Sequence, residues 1–135
     1  MEKVYLDNAA TTPLNDEVID AMVGVLRHNY GNPSSTHSFG QEAKTLLEEV
    51  RRKIADGLKV SPGEIVFTSC GTESNNMMIK SCVNYLGVQR IITSPLEHKC
   101  VAETCLEMKK LNGTEVVYLR PDNKACIDIV KLEEL

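Results

Sequence analysis

The apolar positions change period along the chain, and that change gives the first outline of a fold. Val18, Met22, Val25 and Leu26 fall on one helical face. Asn15 precedes them as an N-cap, Asp16 and Glu17 put negative charge at the positive end of the helix dipole, and Gly31 follows as a stop. A stronger helical repeat runs through Phe39, Ala43, Leu46, Leu47, Val50, Ile54 and Leu58, with Ser38 and Gln41 spaced as a capping box. Ser61-Pro62-Gly63 then predicts a turn.

Beyond that turn the pattern alternates. A short apolar strand at 64–69 precedes a helix from Thr72 to about Leu86. A second strand, Arg90 to Ser94, precedes a helix from Lys99 to about Leu111, and a third follows at Thr114 to Leu119. Strands alternating with helices of this length predict right-handed βαβ units and a mostly parallel sheet, the α/β class. Asp122-Asn123-Lys124-Ala125 reads as a turn, Cys126 to Ile129 as an extended piece, and Val130 to Leu135 as the start of a helix. Six residues make a marginal helix, and three strands are few for a doubly wound sheet. The expectation is therefore one incomplete domain over 1–135, with no repeat or linker, that stops in mid-domain.

Composition narrows the function classes. Apolar residues make up 42% and charged residues 25% of 135 positions, as in ordinary globular proteins. Aromatics are only 4%, so the core must rest on aliphatic side chains. A net charge of −4 without a basic cluster argues against nucleic acid as a partner. No apolar run reaches membrane-spanning length and the N-terminus has no signal-like apolar segment, so a cytoplasmic protein with no membrane partner is expected. Cys70, Cys82, Cys100, Cys105 and Cys126 are odd in number and form no CxxC pair. They fit neither a disulfide framework nor a metal site, and read as small buried or half-buried thiols in a reducing compartment.

Three polar segments are candidates for chemistry. Thr68-Ser69-Cys70-Gly71-Thr72-Glu73-Ser74 joins a strand to a helix, where free N–H groups and the positive dipole end suit a phosphate. The same residues also describe a plain βα turn capped by Thr72. Ser94-Pro95-Leu96-Glu97-His98-Lys99 lies at the next strand end, where open parallel sheets bind ligands. An imidazole at His98 could stack on a heteroaromatic ring or move protons, or simply be solvated. The loops Asp7 to Pro13 and Gly31 to His37 are dense in small hydroxyl and amide residues, fit for an anion or for tight turns. No P-loop, GxGxxG or Ser/His/Asp arrangement is present.

Taken in order, these segments resemble cysteine desulfurases of the NifS/IscS type. Tyr5-Leu6-Asp7-Asn8-Ala9-Ala10-Thr11-Thr12-Pro13 is similar to that family's opening. Gly31-Asn32-Pro33-Ser34-Ser35-Thr36-His37 with Phe39-Gly40, Phe67 to Asn76, and Glu97-His98-Lys99 resemble its later motifs. The resemblance implies the N-terminal part of a type I pyridoxal 5'-phosphate (PLP) fold, a three-layer α/β/α large domain, with residues 1–14 as an N-terminal arm. It implies Gly71 and Thr72 at the cofactor phosphate and His98 over the pyridine ring as a catalytic group. Asn8, Ala10, Thr11 and Asn32 would lie in loops near the substrate mouth or a dimer interface.

The implied reaction takes sulfur from L-cysteine. PLP acts as electron sink, and an enzyme thiolate receives the sulfur as a persulfide, leaving alanine. A homodimer and a sulfur-acceptor or scaffold protein are the implied partners. The family's Schiff-base lysine, pyridine-pairing aspartate and persulfide cysteine all lie later in its chain, so these 135 residues are expected to be inactive alone. Lys99 matches the ring-stacking segment rather than the Schiff-base lysine. Ala125 departs from the family, which often has Gly in that turn. Selenocysteine lyase shares a similar phosphate turn, and alanine release from L-cysteine against L-selenocysteine separates the two. A non-catalytic binding or scaffold fragment is the third reading, marked by cooperative unfolding of the chain without PLP.

Overall fold

Helix signals at the level of caps translate directly into structure. The computed structural model describes residues 3–134, so Met1 and Glu2 of the expected arm and Leu135 of the expected last helix lie outside the described residues. Two units divide the chain, Met1–Val66 and Phe67–Leu135.

In the first unit, α1 spans Asp16–His28, capped by the Asn15 side chain, which accepts the Glu17 N–H at 2.9 Å. The helix closes at Asn29, before the predicted stop at Gly31. Its apolar face, Val18, Met22, Val25 and Leu26, stays exposed. Helix α2 spans Ser38–Leu58. Its cap is His37, whose Nδ1 accepts the Gly40 N–H at 3.4 Å, and not the expected Ser38. Ser38 already has helical geometry, and Gln41 reaches back to the Thr36 carbonyl at 3.0 Å instead of closing a box with Ser38. Asn32 organises the preceding loop, accepting the Ser34 N–H on Oδ1 and the Ser35 N–H on its carbonyl, both at 2.9 Å. Gly31 and Gly40 let this loop close: a Cβ on Gly31 would fall on the Phe39 carbonyl, and one on Gly40 would lie 2.7 Å from the Asn32 carbonyl oxygen.

The expected strand at 64–69 does not form. Pro62–Glu64 is a 3-10 turn, fixed by the Ser61 N–H on the Glu64 carboxylate at 2.7 Å. Residues 65–68 run on without strand assignment, and the Ile65 carbonyl is taken by the Arg51 guanidinium rather than by a neighbouring strand. A strand is defined by its partner, and none is present among the described residues.

The second unit carries the α/β architecture. Helix α3 spans Gly71–Leu86, β1 Arg90–Thr93, α4 Lys99–Asn112 and β2 Glu115–Tyr118. The strands pair in parallel, Arg90 opposite Glu115 through Thr93 opposite Tyr118, with α4 as the crossover. The sheet thus has two strands among the described residues, where three were expected. Gly87 and Gly113 take left-handed dihedrals as the caps that end α3 and α4. Ile79 and Val83 of α3 pack on Cys105 and Met108 of α4, with Ile91, Val101 and Val116 against them. Burying each of these larger apolar side chains stabilises the unit by about 1.5–3 kcal/mol. That packing holds the first turns of α3 and α4 in register. The predicted 122–125 turn is present, with Ala125 at φ 61°, followed by α5, Ile129–Glu133.

Candidate functional site

The chain enters α3 through a loop held by its own first turn. Glu73 accepts both the Ser69 N–H and the Ser69 hydroxyl, each at 2.7 Å, and these two bonds hold its carboxyl below the usual glutamate range. Cys70, extended at φ −167°, occupies the N-cap position that the sequence offered to Thr72. Its side chain makes no capping bond within hydrogen-bond distance. The Glu73 N–H, then the Ser69 hydroxyl, nevertheless point positive charge at the sulfur and lower the thiol pKa. A Cβ on Gly71 would meet nothing within 4 Å, so the helix start faces open space.

The second wall comes from the end of β1. Ser94 turns the chain by accepting the Leu96 N–H on its hydroxyl at 3.2 Å. His98 then caps α4, its Nδ1 accepting the Cys100 N–H at 3.2 Å and lying 3.1 Å from Cys100 Sγ. A neutral imidazole that accepts on Nδ1 carries its proton on Nε2. Asn75, one turn into α3, donates from Nδ2 to the same sulfur at 3.4 Å. Asn75 first, and His98 after it, hold the Cys100 thiol below its ordinary value. Deeper in, Thr104 ties α4 to α3 through Asn76 Oδ1 at 2.8 Å.

These pieces close on a cavity of about 270 Å³ lined by Cys70, Gly71, Thr72, Asn75, His98 and Cys100. The two predicted segments, 71–72 and 98, therefore meet at one site. Asn8, Ala10, Thr11 and Asn32 belong to the other unit. Ala10 and Thr11 donate their N–H groups to the Asp7 carbonyl at 3.1 and 3.3 Å in an exposed turn beside Asn8. Lys99 is exposed and does not line the cavity. Sequence reasoning missed Asn75 and the cavity-facing role of Cys100. Helical spacing held the signal for Asn75, three residues after Thr72 and so on its face.

The wall favours negative charge: both thiols that face it are lowered toward thiolate by converging donors. Gly71, the Thr72 hydroxyl and an uncapped helix start suit a phosphate, and the His98 ring suits a flat heteroaromatic. The residues present thus fit PLP. The Aminotransferase class-V family model matches residues 4–135. The chain belongs to the class-V aminotransferase family. Among relatives of this class-V chain, "Cysteine desulfurase IscS" of Dictyoglomus turgidum is 49% identical over 128 residues, covering 93% of this chain and 32% of that protein. A solved "NIFS-LIKE PROTEIN" superposes with a TM-score of 0.86 at 41% identity, over 99% of this chain and 37% of that one. The structure of "SspA in complex with cysteine" gives 0.80 at 36% identity, over 93% and 37%. The class-V chain described here spans about a third of the length of these proteins.

Proposed function

We propose that this chain is the cofactor-phosphate and ring-facing part of a PLP-dependent cysteine desulfurase. The whole enzyme would take sulfur from L-cysteine, leaving L-alanine and an enzyme persulfide for iron–sulfur cluster or thio-cofactor assembly. The observation that carries this reading is the meeting of Gly71, Thr72 and His98 around one donor-lined cavity in a class-V chain.

When bound, PLP supplies an electron sink for bonds broken at the substrate. Gly71 and Thr72 offer backbone N–H groups and one hydroxyl to its phosphate at the positive end of α3. Glu73 fixes the entry to that turn by holding Ser69. His98 would hold the ring of the cofactor; with Nδ1 tied to the Cys100 N–H, it would present Nε2 as the atom that holds or hands over a proton. Asn8, Ala10, Thr11 and Asn32 are assigned to the substrate side. The anchoring lysine, the pyridine-pairing aspartate and the persulfide cysteine are assigned to residues outside these 135, so the chain alone does not turn over. We read 1–135 as part of one domain of a cytoplasmic homodimer that passes sulfur to an acceptor or scaffold protein. Five unbridged cysteines agree with a reducing compartment.

The test is an absorption titration of the purified chain with PLP and with pyridoxal, followed by borohydride reduction and peptide mapping. The expected result is binding that requires the phosphate, weakens in Thr72→Val and leaves no lysine specifically reduced. Equal binding of pyridoxal, or a stoichiometric adduct on Lys99, would overturn the assignment.

A further inference from the structure

The cavity holds chemistry that the desulfurase reading does not use. We propose that Cys100 is a covalent-modification site, a nucleophilic thiol held between the Asn75 amide and the His98 imidazole that reacts with small soft electrophiles entering this cavity.

The five thiols differ in what surrounds them. Cys105 is buried at 1% exposure, and burial raises its thiol pKa. Cys126 is exposed, and its thiol donates to the Lys124 carbonyl at 3.8 Å. Cys82 is half-buried beside the packed interior of α3. Cys70 faces the cavity with donors around it, the Ser69 hydroxyl at 3.8 Å among them, but the charge of the neighbouring Glu73 carboxylate opposes a thiolate there. Cys100 combines all three requirements of a reactive thiol. Asn75 Nδ2 stabilises negative charge on sulfur at 3.4 Å, a base nitrogen of His98 lies at 3.1 Å, and the sulfur opens on a space of about 270 Å³. Thr72, whose hydroxyl also stabilises this sulfur, belongs like Asn75 to the facing helix α3, so α3 and the cap of α4 converge on one atom.

With iodoacetamide as probe, the S–C bond forms as the C–I bond breaks, iodide leaves, and the thiol proton passes to His98 Nδ1, which releases the Cys100 N–H to take it, and then to solvent. The gain in thiolate fraction is partly offset by a lower intrinsic nucleophilicity, so the rate rises by less than the thiolate fraction does. The proposal stands on local geometry and is independent of which cofactor the cavity takes.

The experiment is time-resolved iodoacetamide labelling of the whole chain at neutral pH, with each cysteine followed by peptide mass spectrometry. Cys100 is expected to react faster than Cys126, with Cys105 protected. His98→Asn keeps an N-cap for α4 but removes the base, and is expected to slow Cys100 while the Asn75 donor keeps it above Cys126, with Cys126 and Cys105 unchanged. Three outcomes overturn the proposal: Cys100 no faster than Cys126, a Cys100 rate indifferent to His98→Asn, or Cys105 labelled as fast as Cys100. The last would mean that reactivity comes from an open chain and not from a built site.

Discussion

Thr104→Val removes one hydroxyl from the seam between α3 and α4 and changes little else, because the two side chains have nearly the same shape. Thr104 is 2% exposed, and its hydroxyl lies 2.8 Å from Asn76 Oδ1 and 2.7 Å from the Cys100 carbonyl. Asn76 cannot turn its amide to compensate, since its Nδ2 already donates to the Thr72 carbonyl at 2.9 Å. The substitution therefore leaves Asn76 Oδ1 facing a methyl group. A buried acceptor without a donor costs about 1–3 kcal/mol, and the partial exposure of Asn76 puts this case in the lower half, about 1–2 kcal/mol. The neighbouring Cys105, at 1% exposure, is a built-in reporter: a thiol reagent reaches it only when the α3–α4 seam opens. A loss of 1–2 kcal/mol multiplies the open population about 5–30-fold, and the Cys105 labelling rate should rise by that factor. A rate that stays the same or falls would refute the reasoning, because it would show that the hydroxyl does not hold the seam.

Gly40→Ala forces a Cβ onto the Asn32 and Ser35 carbonyls; a cost of about 1–3 kcal/mol is expected, seen as faster amide exchange at Ser35. Ala125→Gly relieves a left-handed residue that costs about 1–2 kcal/mol, against about 0.4–1 kcal/mol of added chain entropy. Slower exchange of the Cys126 N–H, which bonds to Asp122 Oδ1 at 2.9 Å, checks this gain. Asn15→Ala should cost α1 about 1 kcal/mol, read as lost helical circular dichroism. Glu73 is depressed by Ser69, so its contribution is present above the ordinary glutamate pKa and is lost as pH falls through the lower folded value. A carboxyl carbon shift that titrates at or above an ordinary glutamate would contradict the Ser69 lock.

Local signals were legible wherever a residue acts on its own backbone. Asn15 caps α1, the alternation from Thr72 to Leu119 yields α3, β1, α4 and β2, and the turns that open α3 and α4 meet at one cavity. Most of what failed was non-local. The run at 64–69 has strand-like composition, but strand formation depends on a partner, and the Ile65 carbonyl instead takes the Arg51 guanidinium. His37 displaced Ser38 as cap because a ring nitrogen one bond farther out can do the work of a hydroxyl, which a motif written in Ser and Thr does not anticipate. The thiol cluster was invisible because Cys100 acquires its character from Asn75, twenty-five positions away in sequence.

Gly31 and Gly40 have a consequence for how this sequence can vary. Each backbone sits where the other end of the loop passes, so the nine-position interval between them acts as a ruler. Surface loops ordinarily accept added or missing residues. Here one residue more or fewer would carry Gly40 off the Asn32 and Ser35 carbonyls and place a side chain where only hydrogen fits. Substitutions at the outward positions of this segment are open to drift, while its length is not.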